Sequence, residues 1–200
     1  MNVVRAFGDG DFVFGHTEYD FSSRRVGFEV FRFEGDFAVE HWDNIQLREG
    51  PNPSRHSMID GAMNVSDLGR TEGNRDMVRA FIETVRIERE VSSLGRLCLL
   101  DSLYGTRPAW CRRSSCSETQ PGEHDKRPAA ADLPRLHRVL AQGSFVLTVS
   151  ERLRDGMHTS FYDLYRIEGA KIVEHWNTKE VVAPPEEWQY SNASFERADG

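Results

Sequence analysis

His41 and Asp43 stand two residues apart in the run Glu40-His41-Trp42-Asp43-Asn44. In an extended strand, residues i and i+2 share a face, so the imidazole and the carboxylate are neighbours, with Glu40, Trp42 and Asn44 on the opposite face. An imidazole beside a carboxylate is an acid/base group and its tuner, and the chemistry it can do near neutral pH is proton transfer. His16-Thr17-Glu18, followed by Tyr19, places a second histidine and carboxylate on one strand face. The catalytic candidates are therefore Asp43, His41 and His16. A structural reading competes at each: Trp42 as core, Asp43 opening a solvated turn, His41 packed on a neighbouring strand, and His16 as a satisfied strand histidine. His16, His41, Glu18 and Asp43 also form a donor set that a metal could use. Nothing in their spacing requires one, so the expected site has no metal and no cofactor.

The chain carries this chemistry twice. Phe28-Glu29-Val30-Phe31-Arg32-Phe33-Glu34-Gly35 and Val39-Glu40-His41-Trp42-Asp43-Asn44 return as Tyr162-Asp163-Leu164-Tyr165-Arg166-Ile167-Glu168-Gly169 and Val173-Glu174-His175-Trp176-Asn177-Thr178, at an offset of 134. Upstream, Arg5-Ala6-Phe7 and Gly10-Asp11-Phe12-Val13 match Arg138-Val139-Leu140 and Gly143-Ser144-Phe145-Val146 at an offset of 133. The period exceeds that of solenoid repeats, about 20–50 residues, so this is a duplicated module. In the second copy His175 remains, but Asn177 replaces Asp43. An amide moves no proton at working pH, though it can donate a hydrogen bond to an oxyanion. His175 and Asn177 are binding candidates. Val149 stands where the first copy has His16. Asp163 matches Glu29, and this recurring acid reads as an outward charge on a half-exposed strand.

Elements must hold these groups in place. Phe12–Phe14 and Val26–Phe33 are aromatic and β-branched, and the second run alternates. Glu34-Gly35-Asp36 is a turn signal, so the run from Phe37 to Ile45 should pair back as a hairpin. The second copy repeats the pattern at Ser144–Glu151, Thr159–Ile167 and Lys171–Lys179. Between the copies, Met77, Val78, Phe81, Ile82 and Val85 form an apolar stripe on a helix over 71–89, capped by Thr71 or Asn74. Residues 49–70, rich in glycine and proline, read as a linker. Residues 94–131 hold no period, and from Gly105 the composition predicts disorder. The division is a strands-only partial module at 1–48, the linker at 49–70, and a module at 71–200 interrupted by the aberrant 94–131 segment.

Bulk properties exclude more than they assign. A net charge of −7 argues against nucleic acid, which needs a basic face. No run approaches the ~18 apolar residues of a membrane span, and the N-terminus shows no signal region, so the expectation is a soluble cytoplasmic protein. Cys98, Cys111 and Cys116 match neither a disulfide framework nor a zinc pattern.

The runs "HRVLAQGSFVLTVSE" and "FYDLYRIEGAKIVEHWNT" resemble the SnoaL-like polyketide cyclases and the predicted SnoaL-like aldol-condensation enzymes of the nuclear-transport-factor-two-like superfamily. The resemblance covers residues 1–48, 70–92 and 133–198. It implies an α+β fold, a cone-shaped curved antiparallel sheet whose helices close a pocket, and it implies that the first copy has lost its helices. It further implies proton transfer on a small apolar carbonyl compound, without metal or cofactor. Phe12, Phe14, Phe28 and Val30, or Phe145, Leu147, Tyr162 and Leu164, would line that pocket, with Phe14, Phe28 and Tyr162 foremost in binding substrate. A non-catalytic ligand-binding or dimerisation module is the competing reading, with a homodimer left open. A degraded gene product without activity is the third.

Overall fold

The computed structural model of the chain describes residues 1–51, 55–83, 135–154, 156–184 and 186. The alternating runs form four consecutive strands, β1 (Asn2–Asp9), β2 (Phe12–Asp20), β3 (Arg24–Glu34) and β4 (Phe37–Leu47). They pair in chain order as an antiparallel meander. A 3₁₀ turn (Leu68–Arg70) leads into α1 (Thr71–Ile82), and β5 (Arg135–Gln142), β6 (Phe145–Arg154), β7 (Met157–Glu168) and β8 (Lys171–Val181) make a second meander. The hairpins expected at Gly35 and Gly169 form, with Glu34 opposite Phe37 and Glu168 opposite Lys171. The duplication extends to irregularities. The register shifts between Arg32 and Phe33 and again between Arg166 and Ile167.

The two sheets pack face to face. Phe7, Phe14, Val26, Phe28 and Val30 of the first sheet meet Leu140, Phe145, Leu147, Val149, Tyr162, Leu164 and Trp176 of the second in one buried cluster. Each large apolar side chain so buried stabilises the fold by about 1.5–3 kcal/mol. The contacts between the copies are reciprocal. Arg5 stacks on Trp176 at 3.8 Å, and its counterpart Arg138 stacks on Trp42, the counterpart of Trp176, also at 3.8 Å. Gly8 N–H donates to Gln142 Oε1, and Ala141 N–H donates to Asp9 Oδ2. Ile45 N–H donates to Glu180 Oε2, and Lys179 N–H donates to Gln46 Oε1. Each pair exchanges equivalent positions of the two copies, as in an isologous two-fold interface.

This architecture corrects the expected fold class. The chain does not form an α+β cone closed by packed helices, the nuclear-transport-factor-two-like arrangement. Among the described residues the structure is mostly antiparallel sheet, 62% strand against 13% helix, in two four-stranded sheets with one short helix. The physical reason lies in the strand faces. The alternating aromatic and aliphatic side chains that the resemblance places in a pocket find their partners on the other sheet. Phe14, Phe28, Val30, Phe145, Leu147, Tyr162 and Leu164 are thus inter-sheet core, with Phe12 partly buried against it.

The helix takes the outer face of the second sheet. Val78, Phe81 and Ile82 are buried against Ala141, Val146, Tyr165, Ile167 and Ile172, with Met77 partly buried beside them. Val85 lies outside the described residues, as does the 94–131 segment. Neither Thr71 nor Asn74 caps the helix. Both instead reach the β5–β6 turn: Gly143 N–H donates to Thr71 Oγ1 at 2.9 Å, and Asn74 Nδ2 donates to the Gly143 carbonyl at 2.8 Å. Among the described residues no helix is long and apolar enough to cross a membrane.

Gly143 and Gly10 occupy the same turn in the two copies, at φ 56° and 57°. Alanine at either costs about 1–2 kcal/mol for the left-handed backbone. Only at Gly143 would the new Cβ fall 2.0 Å from the Ser66 carbonyl oxygen, whereas nothing lies within 4 Å at Gly10. Gly143→Ala is therefore expected to destabilise clearly more than Gly10→Ala in urea denaturation. Equal losses would show that the 55–66 loop is not seated against this turn.

Candidate functional site

Each sheet has one inner face and one outer face, and the histidine of the repeated strand lies on the outer face. The turn at Gly35 sets the register, with Phe31 opposite His41 and Glu29 opposite Asp43. His41 is thereby diagonal to Glu29, and His41 Nε2 lies 2.7 Å from Glu29 Oε2. Glu29 is 4% exposed. Its other oxygen, Oε1, accepts a hydrogen bond from the Tyr19 hydroxyl at 2.6 Å, and the Thr17 hydroxyl lies 3.3 Å from it. Phe31 stacks on the His41 ring at 4.2 Å and 6°. Gly27 makes room for this arrangement, because a Cβ there would come within 2.6 Å of Glu29 Oε1 and 2.8 Å of Thr17 Oγ1. Asp43 completes the cluster: one ligand atom from each of Glu29, His41 and Asp43 lies within 4.8 Å of the others. Partial desolvation by its neighbours, with the Glu29 charge, raises the Asp43 carboxyl from its ordinary value, while His41 opposes this. His41 and Asp43 are exposed to solvent.

The second sheet repeats the pair under cover. His175 Nε2 lies 2.8 Å from Asp163 Oδ1, with the two residues 1% and 5% exposed. Tyr165 stacks on His175 at 4.7 Å and 11°, and Phe81 of α1 meets Tyr165 edge-on. Asp163 stands in a cross-strand row between Thr148 and Asn177. Thr148, Ser150 and Asn177 are all buried, and Thr148 Oγ1 and Ser150 Oγ have no hydrogen-bond partner. Two orphaned hydroxyls beside a buried histidine–carboxylate pair are the unusual feature here, because buried polar groups are nearly always satisfied.

The sequence candidates separate accordingly. His41 and Asp43 share the open outer face of the first sheet. His175 and Asn177 share the covered outer face of the second. Phe14, Phe28 and Tyr162 lie between the sheets, as does His16, which is fully buried, edge-on to Phe28 at 4.6 Å and 3.3 Å from Arg5. Glu18 pairs with Arg48. Glu29 and Asp163, read from the sequence as outward charges, are instead buried histidine partners. The hairpin register was the signal that pairs them. Thr148 and Ser150 gave no signal.

Burial holds the His16 imidazole well below the ordinary 6.5, and the Arg5 charge acts in the same direction. In the folded chain His16 stays neutral, whereas in the unfolded chain it binds a proton below about pH 6.5. The unfolded state then holds more protons, so stability is complete above pH 6.5 and falls as the pH drops below it. His16→Val, which installs the residue found at position 149, should flatten the stability profile below that pH. Denaturation midpoints across pH 5–8 check this. An unchanged slope would assign the acid sensitivity elsewhere.

No protein-family model matches the chain, and no curated protein matches it.

Proposed function

We propose that the covered face of the second sheet is a cofactor-free acid–base site that moves a proton at a carbon beside a carbonyl. The observation that carries this reading is the buried His175–Asp163 pair flanked by two hydroxyls without partners. With Nε2–H donating to Asp163, the other ring nitrogen keeps the lone pair that accepts the substrate proton. Asp163 holds the ring and stabilises the imidazolium that forms, as an orienting carboxylate does for a general base. Negative charge then develops on the carbonyl oxygen. Thr148 Oγ–H, Ser150 Oγ–H and the Asn177 amide are the donors that would receive it, in surroundings where such donors act more strongly than in water. Asn177 thus serves better than an aspartate would, since a carboxylate there would repel the enolate.

Deuterium exchange at the α-carbon of a panel of small β-keto compounds, followed by NMR, tests the reading. Enzyme-dependent exchange supports it, and exchange no faster than in buffer removes it. A second reading, ligand binding without turnover, draws on the 1% exposure of His175, which limits proton exchange with bulk water. It predicts saturable binding of the same compounds with no exchange.

A further inference from the structure

We propose that Glu29, His41 and Asp43, on the open face of the first sheet, bind a divalent transition-metal ion of the zinc, cobalt and nickel class. The site is separate from the His175 face, so neither proposal rests on the other. One imidazole nitrogen and two carboxylates are the mixed nitrogen and oxygen donor set that this class accepts. Their ligand atoms lie within 4.8 Å of one another. Tetrahedral bonds of 2.0–2.2 Å would bring them to about 3.3–3.5 Å. The change falls on His41 and Asp43, the two exposed members.

Glu29 is already set for the role. Tyr19 and Thr17 engage Oε1, leaving Oε2 aimed at His41. Outer hydrogen bonds of this kind fix a metal-ligating carboxylate. Phe31, stacked on the ring, fixes the plane of His41. The lone pairs of His41 Nε2 and Glu29 Oε2 converge on the proton they share, and an ion would take that proton's place, releasing it to solvent. Among the described residues no arginine or lysine forms an ion pair with Glu29 or Asp43, so the two carboxylates repel each other without a fixed counter-charge. Solvent exposure leaves the remaining coordination positions to water, as in sites with three protein ligands. The second copy is the internal contrast, because Asn177 stands where the second carboxylate of the set would be.

Titrating the full chain with Zn²⁺ by calorimetry, and with Co²⁺ by visible absorption, tests the assignment at neutral pH. One equivalent should bind. Asp43→Asn and His41→Gln should each weaken binding roughly 100-fold, and Tyr19→Phe about 10-fold through the freed carboxylate. Asp43→Asn installs the residue that the folded second sheet already carries at 177, and an unchanged melting midpoint without metal confirms that each variant is folded. His158→Gln, at an exposed histidine near Glu151, should leave binding unchanged. Wild-type affinity in both Asp43→Asn and His41→Gln would overturn the proposal. So would loss of binding in His158→Gln, or a thiolate-to-cobalt charge-transfer band, which would move the ion to the cysteines.

Discussion

Replacing His175 with glutamine should slow α-carbon proton exchange by roughly 10²–10⁴-fold, the usual worth of a positioned acid/base group. Glutamine keeps a polar side chain beside Asp163 but carries no titratable nitrogen, so binding of the β-keto compound should change far less than exchange. Asp163→Asn should fall between wild type and His175→Gln, because the ring loses its orienting charge and keeps its base. Thr148→Val and Ser150→Ala remove hydroxyls that have no partner in the chain itself. If those hydroxyls serve a bound oxygen, both substitutions lower the exchange rate while leaving or raising stability. A purely structural pair of hydroxyls would give the opposite result, with lower stability and intact exchange. The measurements are initial exchange rates by NMR and ligand affinities by calorimetry. Exchange in His175→Gln equal to that of wild type would remove the mechanism.

The second large effect concerns the sheet interface. Trp176→Ala should cost about 3–5 kcal/mol, the range for truncating a buried aromatic side chain. Trp176 is 1% exposed, donates its indole N–H to the Asp60 carbonyl at 3.1 Å, and carries Arg5 on its ring. Trp42→Ala removes the reciprocal stack with Arg138, but Trp42 is only partly buried, so less apolar surface is lost. Urea denaturation of the two variants should give a clear ordering, with Trp176→Ala the less stable. Equal losses would mean that the 55–66 loop adds nothing to the second tryptophan beyond what the first receives.

Much of this was legible in the residues, and the failures have physical causes. Alternation in Val26–Phe33 and the turn at Gly35 gave strand, hairpin and the shared face of His41 and Asp43. Those signals are local, since strand period and turn chemistry act over a few residues. The partner of each apolar face is not a local property. Phe14, Phe28 and Tyr162 read equally well as pocket lining or as sheet-to-sheet core, and only the three-dimensional packing decides between them. The same limit hid the histidine partners. Glu29 lies 12 residues from His41, and only the register brings them together. His16 failed for a related reason, because its strand face turns inward and the same alternation that pairs it with Glu18 seats it beside Arg5. The helix stripe was plain, but Thr71 and Asn74, which read as caps, serve a turn of a strand more than 60 residues away.

The exchanged arginine–tryptophan stacks and backbone contacts have a concentration-level consequence. Two separate sheets held by such an interface would part on dilution, because association is second order. In one chain the connection from β4 to β5 fixes the local concentration at which each sheet meets its partner. Thermal midpoints should then be independent of protein concentration, unlike those of an obligate dimer. The linkage also frees the two halves from identity. A change at one position of a homodimer is imposed on both subunits, whereas here position 43 is aspartate while position 177 is asparagine. One chain thereby holds a face with two carboxylates, Glu29 and Asp43, open to water, and a covered one where Asp163 is paired with His175 and an amide replaces the second acid.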